Sequence, residues 1–173
     1  MRIAFIDIET GGFSKEKNAL CEIGLIITEG DKVLVEYSST VSPYPRENGE
    51  PVSYKDDAMA IHGITMDDIN RSKPINIVLF EVIFALKEFN VTAIGGHNIK
   101  QFDIPWLNYL MMRFNGFNFM GYELIDTLEM ARKRYTGSNK MEDLCDMLGI
   151  TQGNHRALGD AEASFELYKL LRR

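Results

Sequence analysis

Asp7 and Glu9 stand two apart at the end of the run Ile3-Ala4-Phe5-Ile6. A strand alternates its side chains between faces, so both carboxylates point the same way at its C-terminal end. Like charges that close raise one another's pKa unless a cation sits between them, and carboxylate oxygens favour hard ions such as Mg²⁺ or Mn²⁺. Two acids at a strand end also describe an ordinary solvated terminus. Asp103 follows Gly96-His97-Asn98-Ile99-Lys100-Gln101-Phe102 and opens a helix, where a first-turn acid already suits the helix dipole. Asp160 lies off the apolar stripe Leu158, Ala161, Phe165 and Tyr168 of the last helix, so core packing does not bury it and it is free to face a cleft. His155 comes five residues earlier, roughly 140° round a continuous helix. It meets the same substrate as Asp160 only from a loop, with the mobility a general base uses.

The elements that must position these groups are legible in order. Ile3 to Ile6, Leu20 to Thr28 and Val33 to Val41 are β-branched and aromatic runs, the last two joined by Glu29-Gly30-Asp31, which predicts three consecutive antiparallel strands. Ser42 to Tyr54, with Pro43, Pro45, Pro51 and Asn48-Gly49, is a loop. Thr65 with Asp68 caps a short helix, and the apolar spacing from Ile75 to Phe89 predicts another, ending near Asn90. Val91 to Ile94 reads as a buried strand closed by Gly95-Gly96, Asp103 to Phe114 as a helix, and Tyr122 to Ile125 as a strand. Asp126 caps a helix reaching Tyr135, Asn139 with Glu142 forms a capping-box pattern for a helix ending at Gly149, and a last helix runs toward Arg173. A meander followed by crossovers predicts an α/β fold, a mixed sheet covered by helices, with ligands at the strand ends.

Composition narrows the classes. The 173 residues are 45% hydrophobic and 25% charged, enough apolar mass for one globular domain, 1–173. A net charge of −6 excludes an overall basic field, so a polyanion must be held locally. Local positive charge collects at Arg132-Lys133-Arg134 with Lys140, which either guides a phosphate backbone or forms a solvated helix end. Cys21 and Cys145 lack Cys-x-x-Cys spacing and suit buried reduced thiols. No apolar run approaches the roughly 20 residues that span a bilayer, and the N-terminus lacks a signal-peptide stretch. The expectation is a cytoplasmic protein with no membrane partner.

The chain resembles the DEDDh 3′→5′ exonucleases of the DnaQ-like group. The first motif stands as Asp7-Ile8-Glu9-Thr10-Gly11-Gly12-Phe13, the second as His97-Asn98 to Phe102-Asp103, and the third as His155-Arg156-Ala157-Leu158-Gly159-Asp160-Ala161. Ala60-Ile61-His62-Gly63-Ile64-Thr65 and Ile125-Asp126 to Arg132 resemble the intervening segments. Each motif alone has low specificity; five in order along nearly the whole chain have much more. The resemblance implies an RNase H-like mixed five-stranded sheet, three antiparallel strands then two parallel crossovers, flanked by helices. It also implies a two-metal phosphodiesterase in which Asp7, Glu9, Asp103 and Asp160 hold two divalent cations, Mg²⁺ or Mn²⁺, and His155 takes the proton of the attacking water. Four carboxylates against two such ions leave the filled site roughly neutral.

The same resemblance points to backbone at Thr10 and Gly11 and to the ring of Phe13 as the grip on a terminal nucleotide. Phe102 is either a second base contact or core. His62 either touches the substrate backbone or caps its turn; His97 reads as structural rather than as a ligand, and Asp126 as a helix cap rather than a ligand. The implied partners are 3′ ends of single-stranded DNA or RNA, and a separate DNA polymerase subunit if the activity is proofreading or repair. Gly11-Gly12-Phe13 with Leu20-Cys21-Glu22-Ile23 resembles the opening of ribonuclease T. Ala60 to Thr65 and the third motif are closer to DNA exonucleases and to the proofreading ε subunit of DNA polymerase III, so the balance favours DNA. The alternatives are RNA 3′-end trimming, a small-nucleotide phosphatase, and a catalytically silent polymerase accessory domain. Retention of all four acids and the histidine speaks against the last.

Overall fold

The computed structural model describes residues 1–173. Its first strands are β1 (Arg2–Thr10), β2 (Leu20–Glu29) and β3 (Lys32–Thr40). Three helices follow, α1 (Asp56–His62), α2 (Met66–Asn70) and α3 (Ile75–Glu88), then β4 (Ala93–Gly96), α4 (Asp103–Asn115) and β5 (Glu123–Asp126). The chain closes with α5 (Thr127–Arg134), α6 (Met141–Leu148) and α7 (Ala157–Leu171). The sheet order is β3-β2-β1-β4-β5. β1 pairs antiparallel with β2 and parallel with β4, and β4 parallel with β5, which is the mixed five-stranded sheet the sequence implies.

Alternation along β1 sorts its residues. Ala4, Ile6 and Ile8 face the larger core with α3 and α4, while Ile3 and Phe5 face α7, packing with Ala161 and Phe165. Phe5 is fully buried, its ring 5.3 Å from that of Phe165 and 5.4 Å from that of Tyr168, and burial of such a side chain stabilises by about 2–3 kcal/mol. Asp7 and Glu9 continue the Ile3–Phe5 row, so period two carries both carboxylates past the edge of this second core toward the start of α7.

Three local expectations are corrected. The fourth strand starts two residues later than its apolar run and includes Gly95 and Gly96. A Cβ on Gly95 would lie 2.5 Å from the Phe5 ring and one on Gly96 2.8 Å from the Ile6 carbonyl, so this inner strand approaches β1 too closely for side chains there. A helix, α1, follows the proline loop without a capping residue; Lys55 makes no side-chain cap. The Asn139–Glu142 capping box does not form. Lys140 is the N-cap of α6; the Asn139 side chain turns back to donate to the Gly137 carbonyl, and its oxygen meets no helix N–H. The Thr65–Asp68 box is present, with Thr65 Oγ1 accepting from the Asp68 N–H at 3.1 Å.

Candidate active site

Four acids converge where β1 ends. Asp7 and Glu9 come from β1, Asp160 from the first turn of α7, and each offers an oxygen within 4.8 Å of the others. Asp103, the first residue of α4, is buried beneath them, its Oδ1 accepting the Ile8 N–H at 3.1 Å across 95 residues of chain. This explains a helix-opening acid better than the dipole alone, because it fixes α4 to the middle of the acid pair.

The electrostatics follow from this crowding. Burial, then Asp103, Asp160, Glu9 and Glu22, push Asp7 well above the carboxylate range. Burial, Asp160, Glu22 and Asp103 push Glu9 up to about 8, with Arg156 pulling slightly the other way. Asp103 is raised by burial against two backbone N–H groups that hold it down. Asp160 is raised by burial, opposed by His155. Carboxylates so placed either keep protons at neutral pH or take cations.

His155 sits in the turn before α7 rather than on the helix. It and Asn154 adopt left-handed backbone, φ 53° and 54°. Two consecutive non-glycine residues there store strain. Its exposed ring places Nε2 3.3 Å from Glu142 Oε1. His155, Asp7 and Asp160 line one cleft of about 280 Å³ together with Lys140 and Glu142. A larger cavity of about 720 Å³ lies on the other flank of α7, against β3, and contains none of these groups.

The start of α7 is held by a glutamate from β2. Glu22 on β2 is 2% exposed, accepts two hydrogen bonds from the Arg156 guanidinium at 2.6 and 3.0 Å, and a third from the Ala157 N–H at 3.0 Å. Burial alone would raise its pKa; the Arg156 and Ala157 donors outweigh it and leave the group below its ordinary value. Two residues along the same face, Gly24 leaves room for α7: a Cβ there would lie 2.2 Å from the Ala157 carbonyl carbon. The signal was present in the sequence, since Glu22 is the one charge inside the apolar run Leu20 to Thr28.

The candidate substrate contacts divide. Phe13 is 84% exposed, its ring 6.4 Å from Phe102, which leans on Trp106 at 6.2 Å. Phe102 is therefore both a wall of the core and the support of an exposed aromatic. Thr10 is buried, and its hydroxyl donates to the Gly12 carbonyl at 2.8 Å. The Gly11 backbone is engaged within the chain. Its N–H donates to the Ala19 carbonyl and its carbonyl accepts from the Lys55 N–H, while the missing Cβ lets the Ser53 carbonyl cross within 2.8 Å of that position. Gly11 fastens the proline loop to the site. His62 is buried and caps its turn, Nδ1 accepting from the Ile64 N–H at 3.1 Å.

His97 is a strut. Nε2 is 3.0 Å from the Asn139 carbonyl, which only accepts, so this nitrogen carries the proton; Nδ1 is 3.0 Å from the Thr127 hydroxyl. Burial lowers its pKa, which favours the neutral ring. Asp126 caps α5 through the N–H groups of Leu128 and Glu129 and also accepts from those of Asn98 and Lys100, so it shapes the loop before Asp103. In the basic cluster, Arg134 turns away to the carbonyls of Leu170 and Leu171 at the end of α7. Arg132 and Lys140 line a groove beside His97. Cys21 and Cys145 are free, buried thiols. No helix is long and apolar enough to cross a membrane.

Comparison with known proteins agrees with this geometry. A family model described as "Exonuclease", RNase_T, matches residues 4–168. The chain is 27% identical over 169 residues to the DNA polymerase III subunit epsilon of Aquifex aeolicus, covering 94% of this chain and 76% of that protein. It is 30% identical over 184 residues to the ribonuclease T of Shewanella frigidimarina, covering 96% and 80%. Against a PolC-type DNA polymerase III of Streptococcus suis it is 28% identical but spans 10% of that protein. Among solved structures, an exonuclease I superposes with a TM-score of 0.80 at 21% identity over 99% of this chain, which establishes the fold. E. coli exonuclease I in complex with a dT13 oligonucleotide gives 0.77 at 20% identity. The chain spans 40% and 41% of those two chains.

Proposed function

The chain belongs to this exonuclease family, and from that premise we propose that residues 1–173 act as one 3′→5′ exonuclease domain, removing nucleotides from 3′ ends of single-stranded or frayed DNA in proofreading or repair. One observation carries the reading: Asp7, Glu9 and Asp160 offer oxygens within 4.8 Å of one another, over buried Asp103, with His155 on the rim of the same cleft.

The donor set fits hard divalent cations. It is all oxygen, and every one of its acids is pushed above its ordinary pKa, a cost that cations remove and that an uncharged ligand would not. Asp7, Glu9, Asp103 and Asp160 would hold two such ions, Mg²⁺ or Mn²⁺, whose chemistry is to polarise the scissile phosphate and offset charge on the attacking and leaving oxygens. His155 takes the proton of the attacking water. Its ring stands at the rim of the cleft with Nε2 3.3 Å from Glu142 Oε1, within reach of a water held over the acids. Glu22 and Arg156 hold the turn before α7 and Asp160 in register. The exposed face of Phe13, backed by Phe102, stacks on a base with little sequence preference.

DNA is favoured as substrate by the likeness to the epsilon subunit and to PolC-type polymerases. On that reading a DNA polymerase is the natural partner. The 30% identity to a ribonuclease T supports a second reading, trimming of RNA 3′ ends by the same chemistry. The test is digestion of matched 3′- and 5′-labelled single-stranded DNA and RNA with Mg²⁺ or Mn²⁺, with EDTA and Asp7→Ala as controls. A metal-dependent ladder shortening from the 3′ end is expected, and the polymer degraded faster assigns the sugar preference. Cleavage that persists in Asp7→Ala would refute the assignment of the acids, and a folded protein that cleaves neither polymer would refute the enzyme.

A further inference from the structure

Glu142 stands in the first turn of α6 and lines the same cleft as Asp7, Asp160 and His155. A first-turn acid suits the helix dipole, which accounts for its type but not for its place. It has no Lys or Arg partner, not even Lys140, which lines the same cleft; its one ion-pair contact is with His155, Nε2 to Oε1 at 3.3 Å. A carboxylate here works against the binding of a phosphodiester, and its field adds to the crowding that raises Asp160. Any benefit it brings to the reaction therefore lies in the chemical step.

Both partners are held from behind. Leu144 and Cys145 seat α6, each fully buried, the leucine packed with Leu167 and Leu171 of α7. The segment before α6 is tied down by His97 at the Asn139 carbonyl. The turn that carries His155 is pinned on either side. Gly153 crosses α7 so closely that a Cβ on it would lie 2.3 Å from Asp160 Oδ1, and Arg156 is held by Glu22. Between these pins Asn154 and His155 take left-handed backbone, and the ring emerges toward α6. The contact is thus set by two anchored segments rather than by two free surface side chains.

We propose that Glu142 is the positioning residue of His155: it holds the ring at the rim of the cleft and stabilises the imidazolium that forms when the ring takes the proton of the attacking water. The inference rests on the exonuclease reading and adds to it a residue outside the four acids and the histidine. A carboxylate only accepts, so Nε2 carries the ring proton and Nδ1 is left as the acceptor. In the step a water O–H bond breaks, its proton passes to Nδ1 and its oxygen bonds to phosphorus. The bond from phosphorus to the 3′ oxygen of the shortened strand breaks, and that oxygen leaves with the electron pair and takes a proton from solvent. A neutral ring beside a charge becomes an ion pair, so the interaction strengthens in the transition state and acts on kcat rather than on KM.

The test is a double-mutant cycle with Mg²⁺ on a 12-mer, dT12 or U12, whichever the wild type degrades faster. Glu142→Gln is expected to lower kcat about tenfold, the low end for a hydrogen bond to a charged group because both side chains are about half exposed, and to leave KM unchanged or lower. In the His155→Ala background the same substitution should change kcat by no more than about twofold, since no ring remains to be held. Calorimetric Mn²⁺ binding should be the same for Glu142→Gln and the wild type. An unchanged kcat, an equal loss in both backgrounds, or a loss of Mn²⁺ affinity that accounts for the lost rate would overturn the assignment. The contact is also read without activity, in EDTA, from the ring ¹³Cε1 relaxation of the three histidines. Glu142→Gln should loosen the ring of His155 and leave those of His62 and His97 as they are. A wild type that cleaves neither polymer would overturn the exonuclease reading, whereas a His155 ring equally mobile with and without Glu142 would overturn the positioning role.

Discussion

Replacing Glu9 by glutamine keeps the shape of the acid cluster and removes one charge. In the unfolded chain Glu9 ionises near 4.5, and in the folded protein burial and its neighbours raise it to about 8. Between those values the unfolded state releases a proton that the folded state keeps, so the stability present below pH 4.5 is lost as pH rises to about 8. Each pH unit in that window costs about 1.4 kcal/mol, giving roughly 3 kcal/mol at pH 7 as an upper figure. Water penetration and relaxation reduce it, so Glu9→Gln is expected to stabilise the metal-free protein by about 1–3 kcal/mol at pH 7, or roughly 3–10 °C for a chain of this size. Thermal melts by circular dichroism in EDTA, from pH 4.5 to 8.5, read this directly. The wild-type midpoint should fall across the window and the variant's should fall less, the two meeting at the acid end. With millimolar Mg²⁺ the order should reverse, because the wild type binds the ion and the variant loses a ligand. A variant less stable than the wild type at pH 7 in EDTA, with the same pH slope, would refute the idea that crowded, buried carboxylates hold this site under strain.

Other expectations follow from the same geometry. His155→Ala should lower kcat by roughly 10²–10⁴-fold while calorimetric Mg²⁺ binding persists; an unchanged rate removes His155 as the base. Asp160→Ala should abolish turnover without unfolding the chain, and measurable digestion of a labelled oligonucleotide would contradict its role. Gly24→Ala drives a Cβ to within 2.2 Å of the α7 backbone and should cost about 3 kcal/mol or more in a urea titration; a wild-type midpoint would show that α7 is not seated on β2. Glu22→Gln weakens charge-assisted bonds to Arg156 and should cost about 1.5–3 kcal/mol at neutral pH. Because the folded pKa of Glu22 is lowered, that difference is present above its unfolded value of 4.5 and shrinks as pH falls through the folded value, which paired melts at pH 7 and pH 3 will read.

What the sequence determined by itself was local and periodic. Period two placed Asp7 and Glu9 on one face of β1, helical spacing left Asp160 off the apolar stripe, and five residues on a helix forced His155 into a turn. An all-oxygen donor set pointed to a hard divalent cation, and the order of runs to a meander followed by crossovers. Tertiary structure decided which ends meet. Asp103 reaches Ile8 across 95 residues and Glu22 reaches Ala157 across 135, and no local pattern encodes either contact. Neighbours distant in the chain also reassigned residues whose types had suggested something else. Ala19, Ser53 and Lys55 engage Gly11, the Asn139 side chain turns to the Gly137 carbonyl instead of capping α6, and the end of α7 draws Arg134 out of the basic cluster. The raised acids belong to the same class of fact. Spacing sets which carboxylates share a face, but only burial by segments far apart in the chain sets what their charge costs.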